Sequence, residues 1–160
     1  MGDKQQPNKR FRWAIILVGT PVFLFCLFSV PGRQLDLRLI ILTLTIVLAA
    51  RVGVQIPSIS YHITVSDTLI FLTMLLYGGE AAVLMAAMDG MCSSARVSSK
   101  PTTILFNSSV MSISTFITYN AIVLVFGSVL GGPLRDLSTG FLAITAAMAL
   151  VQYVANTGLI

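Results

Sequence analysis

The chain has 160 residues, of which 56% are hydrophobic and only 10% charged, whereas an ordinary soluble domain carries roughly a quarter charged residues. Its mean hydropathy is +0.89, and so few charges do not cover a soluble domain of this size. Most aqueous enzymes, nucleic-acid-binding folds and secreted disulfide scaffolds are excluded, and the chain reads as an all-α polytopic membrane protein with about six transmembrane segments.

The charge distribution gives an orientation. Lys+Arg is 10 against 6 for Asp+Glu, a formal net charge of +4, and Lys4, Lys9, Arg10 and Arg12 all lie in the first twelve positions, before or at the mouth of the first apolar run. A basic flank in that place holds the N-terminus on the cytoplasmic side. No basic-aromatic surface follows it, so nucleic acid is not an expected partner. Residues 1–10 read as a basic cytoplasmic N-terminus, and 11–160 as a single transmembrane domain. Cys26 and Cys92 lie in or beside apolar runs with no CxxC and no neighbouring histidine, which supports neither a disulfide framework nor a metal site.

The first apolar run, Phe11 to Val30, is too long for a signal-peptide core and has no small-x-small cleavage site before Pro31-Gly32. It reads as a retained helix, with Pro21 as a kink position. A second run covers Leu37 to Val54. The stretch Gln55 to Val65 alternates polar and apolar residues, contains Pro57, and reads as an extended, lid-like connection. Ser66 is placed as an N-cap, and Asp67 sits where a helix dipole favours negative charge. The run from Thr68 to Tyr77 then stops at Gly78-Gly79, about half the length a bilayer needs. One long helix broken midway and a half-helix that turns back both fit, and Gly78-Gly79 beside Glu80 favours a real break. Apolar character resumes through Ala95. Pro101 opens a fifth helix running to about Phe126, and a sixth begins near Ser138 and is still apolar at Ile160. That ending gives the expectation that the chain is the N-terminal part of a longer protein. With six segments, Lys4, Lys9, Arg10, Arg12, Arg51, Arg96 and Lys100 fall on the cytoplasmic side, and Arg33, Arg38 and Arg135 outside. This obeys the positive-inside rule.

Polar groups inside a bilayer cost several kcal/mol unless paired, so they are the informative residues. Ala82, Ala86 and Gly90 form a small-residue stripe for close helix packing. Asp89, on the same segment, has three readings: an interfacial carboxylate, a partner for Arg96 or Lys100, or the lining of a ligand or ion cavity. On the fifth segment Asn107, Ser114 and Thr118 share one face, and Ser108, Ser112 and Thr115 another. The hydroxyls satisfy themselves on i−4 carbonyls, but Asn107 wants an interhelical partner. Thr145, Gln152 and Asn156 fall on one stripe of the sixth segment, as interhelical glue or as the wall of a polar cavity. His62 reads as a solvated loop histidine, or as a ligand gathered with Tyr61, Ser66 and Asp67 at the mouth of a pocket. The candidate ligand-binding set is therefore His62, Asp67, Asp89, Asn107 and Gln152, with Gly78 and Gly79 setting the geometry. No catalytic constellation, phosphate loop or metal-ligand motif appears, so the chain by itself is not expected to be an enzyme.

The pattern of Ser66-Asp67, Leu75-Leu76-Tyr77-Gly78-Gly79-Glu80-Ala81-Ala82 and Asp89 resembles the substrate-binding S-components of energy-coupling-factor vitamin transporters. There an acidic cap opens a short helix that ends at a glycine break. The downstream residues Asp89-Gly90, Ser93-Ser94-Ala95-Arg96-Val97-Ser98-Ser99-Lys100, Leu105-Phe106-Asn107-Ser108 and Leu150 to Gly158 resemble bacterial N-terminal membrane sensory modules. Those precede diguanylate cyclase or HD-type phosphohydrolase domains. The resemblance implies a multi-pass sensory or ligand-binding module in the bacterial cytoplasmic membrane, feeding a fused or associated cytoplasmic signalling domain. A vitamin-binding transporter subunit and a ligand-free structural membrane protein are the alternatives. The expected partners are the lipid bilayer and a small-molecule ligand, with a homodimer left open.

Overall fold

The structure, a computed structural model, describes residues 9–30, 37–49, 65–127 and 139–159. These form six helices and, among the described residues, no strand: α1 Lys9–Ser29, α2 Leu37–Ala49, α3 Val65–Tyr77, α4 Gly79–Val97, α5 Pro101–Phe126 and α6 Thr139–Leu159. Two of them, α1 and α5, are long and apolar enough to cross a membrane. The expected all-helical class is present. Of the extended connection expected at 55–65, residues 55–64, His62 among them, lie outside the described residues, while Val65 is helical and opens α3.

The short third helix is real, and Gly78 makes it short. At φ 95 and ψ 177, Gly78 adopts a conformation open essentially only to glycine. Its N–H donates to Met74 O at 3.2 Å, closing α3, and its carbonyl accepts from Ala82 N at 3.2 Å, opening α4. One residue thus serves both ladders and turns the chain between them. Of the two readings of the glycine pair, the half-helix that turns back is the one adopted. One detail differs from expectation: α3 begins at Val65, so Ser66 lies inside the first turn and is not its N-cap.

Pro101 starts α5 as its sequence position dictates. The preceding turn closes α4 with Ser98 N donating to Ser94 O at 2.9 Å, and Gly127, at φ 75, ends α5. Glu80 in the first turn of α4 and Arg96 in its last both complement the helix dipole.

Contacts fix the relative directions. Along α1 and α5, Arg12 meets Thr103 and Gly19 meets Ser109, so these two helices run parallel. Between them pack Ile15, Ile16, Phe106, Val110 and Ile113. Gly79 faces Tyr119 while Gly90 faces Asn107 and Ser108, which makes α4 and α5 antiparallel. Gln152 against Thr118 and Asn156 against Met111 make α6 antiparallel to α5. The N-terminal ends of α1 and α5 and the C-terminal ends of α4 and α6 therefore share one end of the bundle.

Small residues allow these approaches. A Cβ on Gly90 would sit 3.0 Å from the Asn107 carbonyl oxygen, and one on Gly79 would overlap the Tyr119 ring. Ala81, Ala82 and Ala86 are fully buried against Ile70, Met74, Ile122 and Met148. Large apolar side chains also stand on the outside, Phe28 84% and Leu124 87% exposed, while the hydroxyls of Ser66, Thr73, Ser112, Ser114, Thr115 and Thr118 are buried beside the apolar core. The helices thus pack through small and hydroxylated residues as well as apolar ones, beneath a large apolar exterior.

Candidate functional site

Asp89 lies midway along α4 and is only 4% exposed. The hairpin at Gly78 carries the first turn of α3 back to its level, where Ser66 hydrogen-bonds the Asp89 carboxylate and the like charge of Asp67 lies close enough to act on it. The positive end of the α3 dipole is brought to the same place, which favours a carboxylate there. Even so, Asp89 Oδ1 has no hydrogen-bond partner. Asp67 and Asp89 are thus brought together, and Ser66 joins them by contact.

A second polar cluster lies between α5 and α6. Gln152, 5% exposed, accepts at Oε1 from Thr118 Oγ1 at 2.8 Å. It donates from Nε2 to Ser114 Oγ at 3.1 Å and Thr115 Oγ1 at 3.2 Å. Both ends of the amide are satisfied, so Gln152 joins two helices. One turn along α6, Asn156 donates from Nδ2 to Met111 Sδ at 3.8 Å, while its Oδ1 is buried without a partner.

Asn107 belongs to the α4–α5 contact. Its Nδ2 donates to Ser94 Oγ at 2.6 Å, and the neighbouring Ser108 Oγ donates to Ala87 O at 3.1 Å. The shared face of Asn107, Ser114 and Thr118 is therefore split between two neighbours, Asn107 reaching α4 and the other two reaching Gln152 on α6. Ser112 satisfies itself on Ser108 O at 2.9 Å. The four described members of the expected set fall into three places: Asp67 with Asp89, Asn107 with Ser94, and Gln152 with its three hydroxyls.

Sequence reasoning missed the orphaned oxygen of Asn156 and the apolar cavity of about 190 Å³ between α1, α2 and α4. Its walls include Phe23, Leu27, Leu39, Ile40, Ala81, Leu84 and Met85. Its Thr43 hydroxyl is engaged with Leu39 O at 2.7 Å and Met85 Sδ at 3.3 Å. At this volume it is smaller than the roughly 300–1,000 Å³ of typical small-molecule pockets. Cys26 is buried and free, Cys92 is half-buried and free, and no group of three metal-ligating side chains gathers among the described residues.

Among the described residues, the two orphaned buried side-chain atoms, Asp89 Oδ1 and Asn156 Oδ1, are both acceptors. What the interior lacks is a donor or a positive charge, and an anion brought to either atom would be repelled. Compared with known proteins, the chain matches no family model, no curated protein and no solved structure.

Proposed function

We propose that the chain is an integral-membrane ligand-binding module with a sensory role, whose six helices form one membrane-embedded bundle with the N-terminus in the cytoplasm. The apolar exterior, the hydroxyl-rich interior and the length of α1 and α5 support the membrane setting. The observation that carries the binding role is Asp89: a carboxylate buried in the bundle with one oxygen unpartnered. A buried polar atom without a partner costs about 1–3 kcal/mol, and more when charged. In membrane interiors ionisable groups mark ligand or ion paths. The ligand is a hydrogen-bond donor or small cation that pairs with Asp89 Oδ1 where Ser66 and Asp67 already converge. In the sensory reading, occupancy changes the α3–α4 hairpin, and α4 passes the change to the cytoplasmic end through its C-terminal turn.

The test is thermal unfolding of the purified chain in detergent with alkali-metal cations, ammonium and simple primary amines, against carboxylates and inorganic phosphate at equal ionic strength. Wild type is stabilised by a member of the donor or cation group, and Asp89→Asn loses that shift. Stabilisation by the anions alone, or an equal shift in Asp89→Asn, defeats the reading.

The transporter-subunit reading shares the same hairpin and predicts co-purification with a coupling subunit and ATPases. A chain that binds its ligand and recovers no such partners from its native membrane is not a transporter subunit.

A further inference from the structure

The parallel course of α1 and α5 gathers positive charge at one end of the bundle. Lys9, Arg10 and Arg12 lie in the first turns of α1, Lys100 immediately precedes α5, and Arg96 occupies the last turn of α4, which meets α5 through a three-residue turn. The described acidic residues lie elsewhere: Glu80 at the opposite end of α4, and Asp67 and Asp89 within the α3–α4 hairpin. Arg12 is fixed in place. Its Nη2 donates to Thr103 Oγ1 at 3.1 Å, and its guanidinium carbon stands 5.7 Å from the centre of the Phe106 ring. These two contacts use one of the five guanidinium N–H donors and one face of the plane. The remaining donors stay in a fork suited to phosphate oxygens. Lys9, one turn earlier on the same side of α1, and Lys100, one turn before Thr103, flank it.

We infer that this end of the bundle is a binding site for the phosphate headgroup of an anionic membrane lipid, with Arg12 as its positioned donor and Lys9 and Lys100 as flanking charges. Charge complementarity selects the headgroup. The source is a lipid because Trp13, 60% exposed beside Arg12, and the exposed apolar surface of α1 continue directly from the cationic cluster. A headgroup held there lays its acyl chain along α1. This inference rests on the membrane setting proposed above and is independent of Asp89.

Trp13 is the single tryptophan of the chain and reports on the site. The chain is first reconstituted in phosphatidylcholine bilayers and washed with alkaline carbonate. Release into the wash defeats the membrane setting, and with it this inference. In bilayers that retain the protein, Trp13 fluorescence is compared with a minor fraction of the lipid replaced by brominated phosphatidylglycerol or brominated phosphatidylcholine. The anionic lipid quenches more strongly at equal mole fraction. Arg12→Gln and Lys100→Gln each reduce that preference about fivefold, as expected for loss of one surface charge, while quenching by the zwitterionic lipid is unchanged. Equal quenching by the two lipids, or an unaltered preference in both variants, overturns the inference while leaving the membrane setting intact. If inorganic phosphate abolishes the preference and chloride of the same ionic strength does not, the site takes free phosphate, which also overturns the assignment to lipid.

Discussion

Ser66 hydrogen-bonds the Asp89 carboxylate across the α3–α4 hairpin, two residues nearly equidistant from Gly78 along the chain. The hairpin and the site are therefore one structure: what turns the backbone at Gly78 also sets Ser66 and Asp67 against Asp89.

Neutralising Asp89 separates stability from function. In the ligand-free protein, Asp89→Asn raises the unfolding free energy by about 1–3 kcal/mol, because it removes the buried charge, the amide keeping only a neutral polar atom at the unpartnered position. Ser66→Ala removes the hydrogen bond that Ser66 gives the carboxylate and lowers stability by about 1–2 kcal/mol. Thermal unfolding in one detergent measures both, and equal destabilisation by the two variants shows that the carboxylate is fully satisfied in the ligand-free protein.

Gly78→Ala destabilises by about 1–3 kcal/mol, since its φ of 95 is a strained conformation for any residue with a Cβ. The loss is visible in thermal unfolding and is not recovered by enlarging the space around the site. A neutral result shows that the turn relaxes without strain.

Gly79 is limited by its neighbour and not by its backbone. A Cβ there meets the Tyr119 ring, so Gly79→Ala costs about 1–3 kcal/mol, and pairing it with Tyr119→Ala recovers part of that loss. A double-mutant cycle reads the coupling; strict additivity of the two changes contradicts the contact.

The Gln152 cluster predicts an asymmetry. Thr118 Oγ1 also lies 2.8 Å from Ser114 O, and Ser114 Oγ lies 3.2 Å from Met111 O, so both hydroxyls keep a backbone acceptor when Gln152 is replaced. Gln152→Leu therefore costs little, under about 1 kcal/mol, near the average for polar contacts between membrane helices. Thr118→Val strips the Thr118 donor from the buried Gln152 Oε1 and costs more, about 1–2 kcal/mol. Unfolding both variants under the same conditions ranks them, and the reverse order contradicts this network.

Much of the helical layout was legible from local signals. Pro101 marks the start of α5, the glycine pair marks the break, and the apolar run of α1 fixes its extent to within a few residues. The Ser66–Asp89 contact was also within reach once the turn at Gly78 was accepted, because antiparallel helices bring equidistant residues level. Taking Ser66 as an N-cap hid this, since a cap hydroxyl would be occupied by its own backbone. The partition of the polar residues of α5 was not legible. Helical spacing shows which residues share a face, but the neighbour met at each height depends on how α4 and α6 cross that face. The parallel pairing of α1 with α5, which gathers the cations, likewise depends on long-range packing that no local pattern encodes.

Side-specific labelling tests most directly whether this bundle crosses a membrane with its cationic end in the cytoplasm. Single cysteines are introduced as Lys9→Cys, Lys100→Cys and Gly127→Cys in a chain whose Cys26 and Cys92 are replaced by alanine. Each is then exposed to a membrane-impermeant maleimide in intact cells and in inverted vesicles. The account predicts labelling of positions 9 and 100 only in inverted vesicles and of position 127 only in intact cells. Labelling of positions 100 and 127 from the same side would mean that α5 does not cross the bilayer, and would contradict the account.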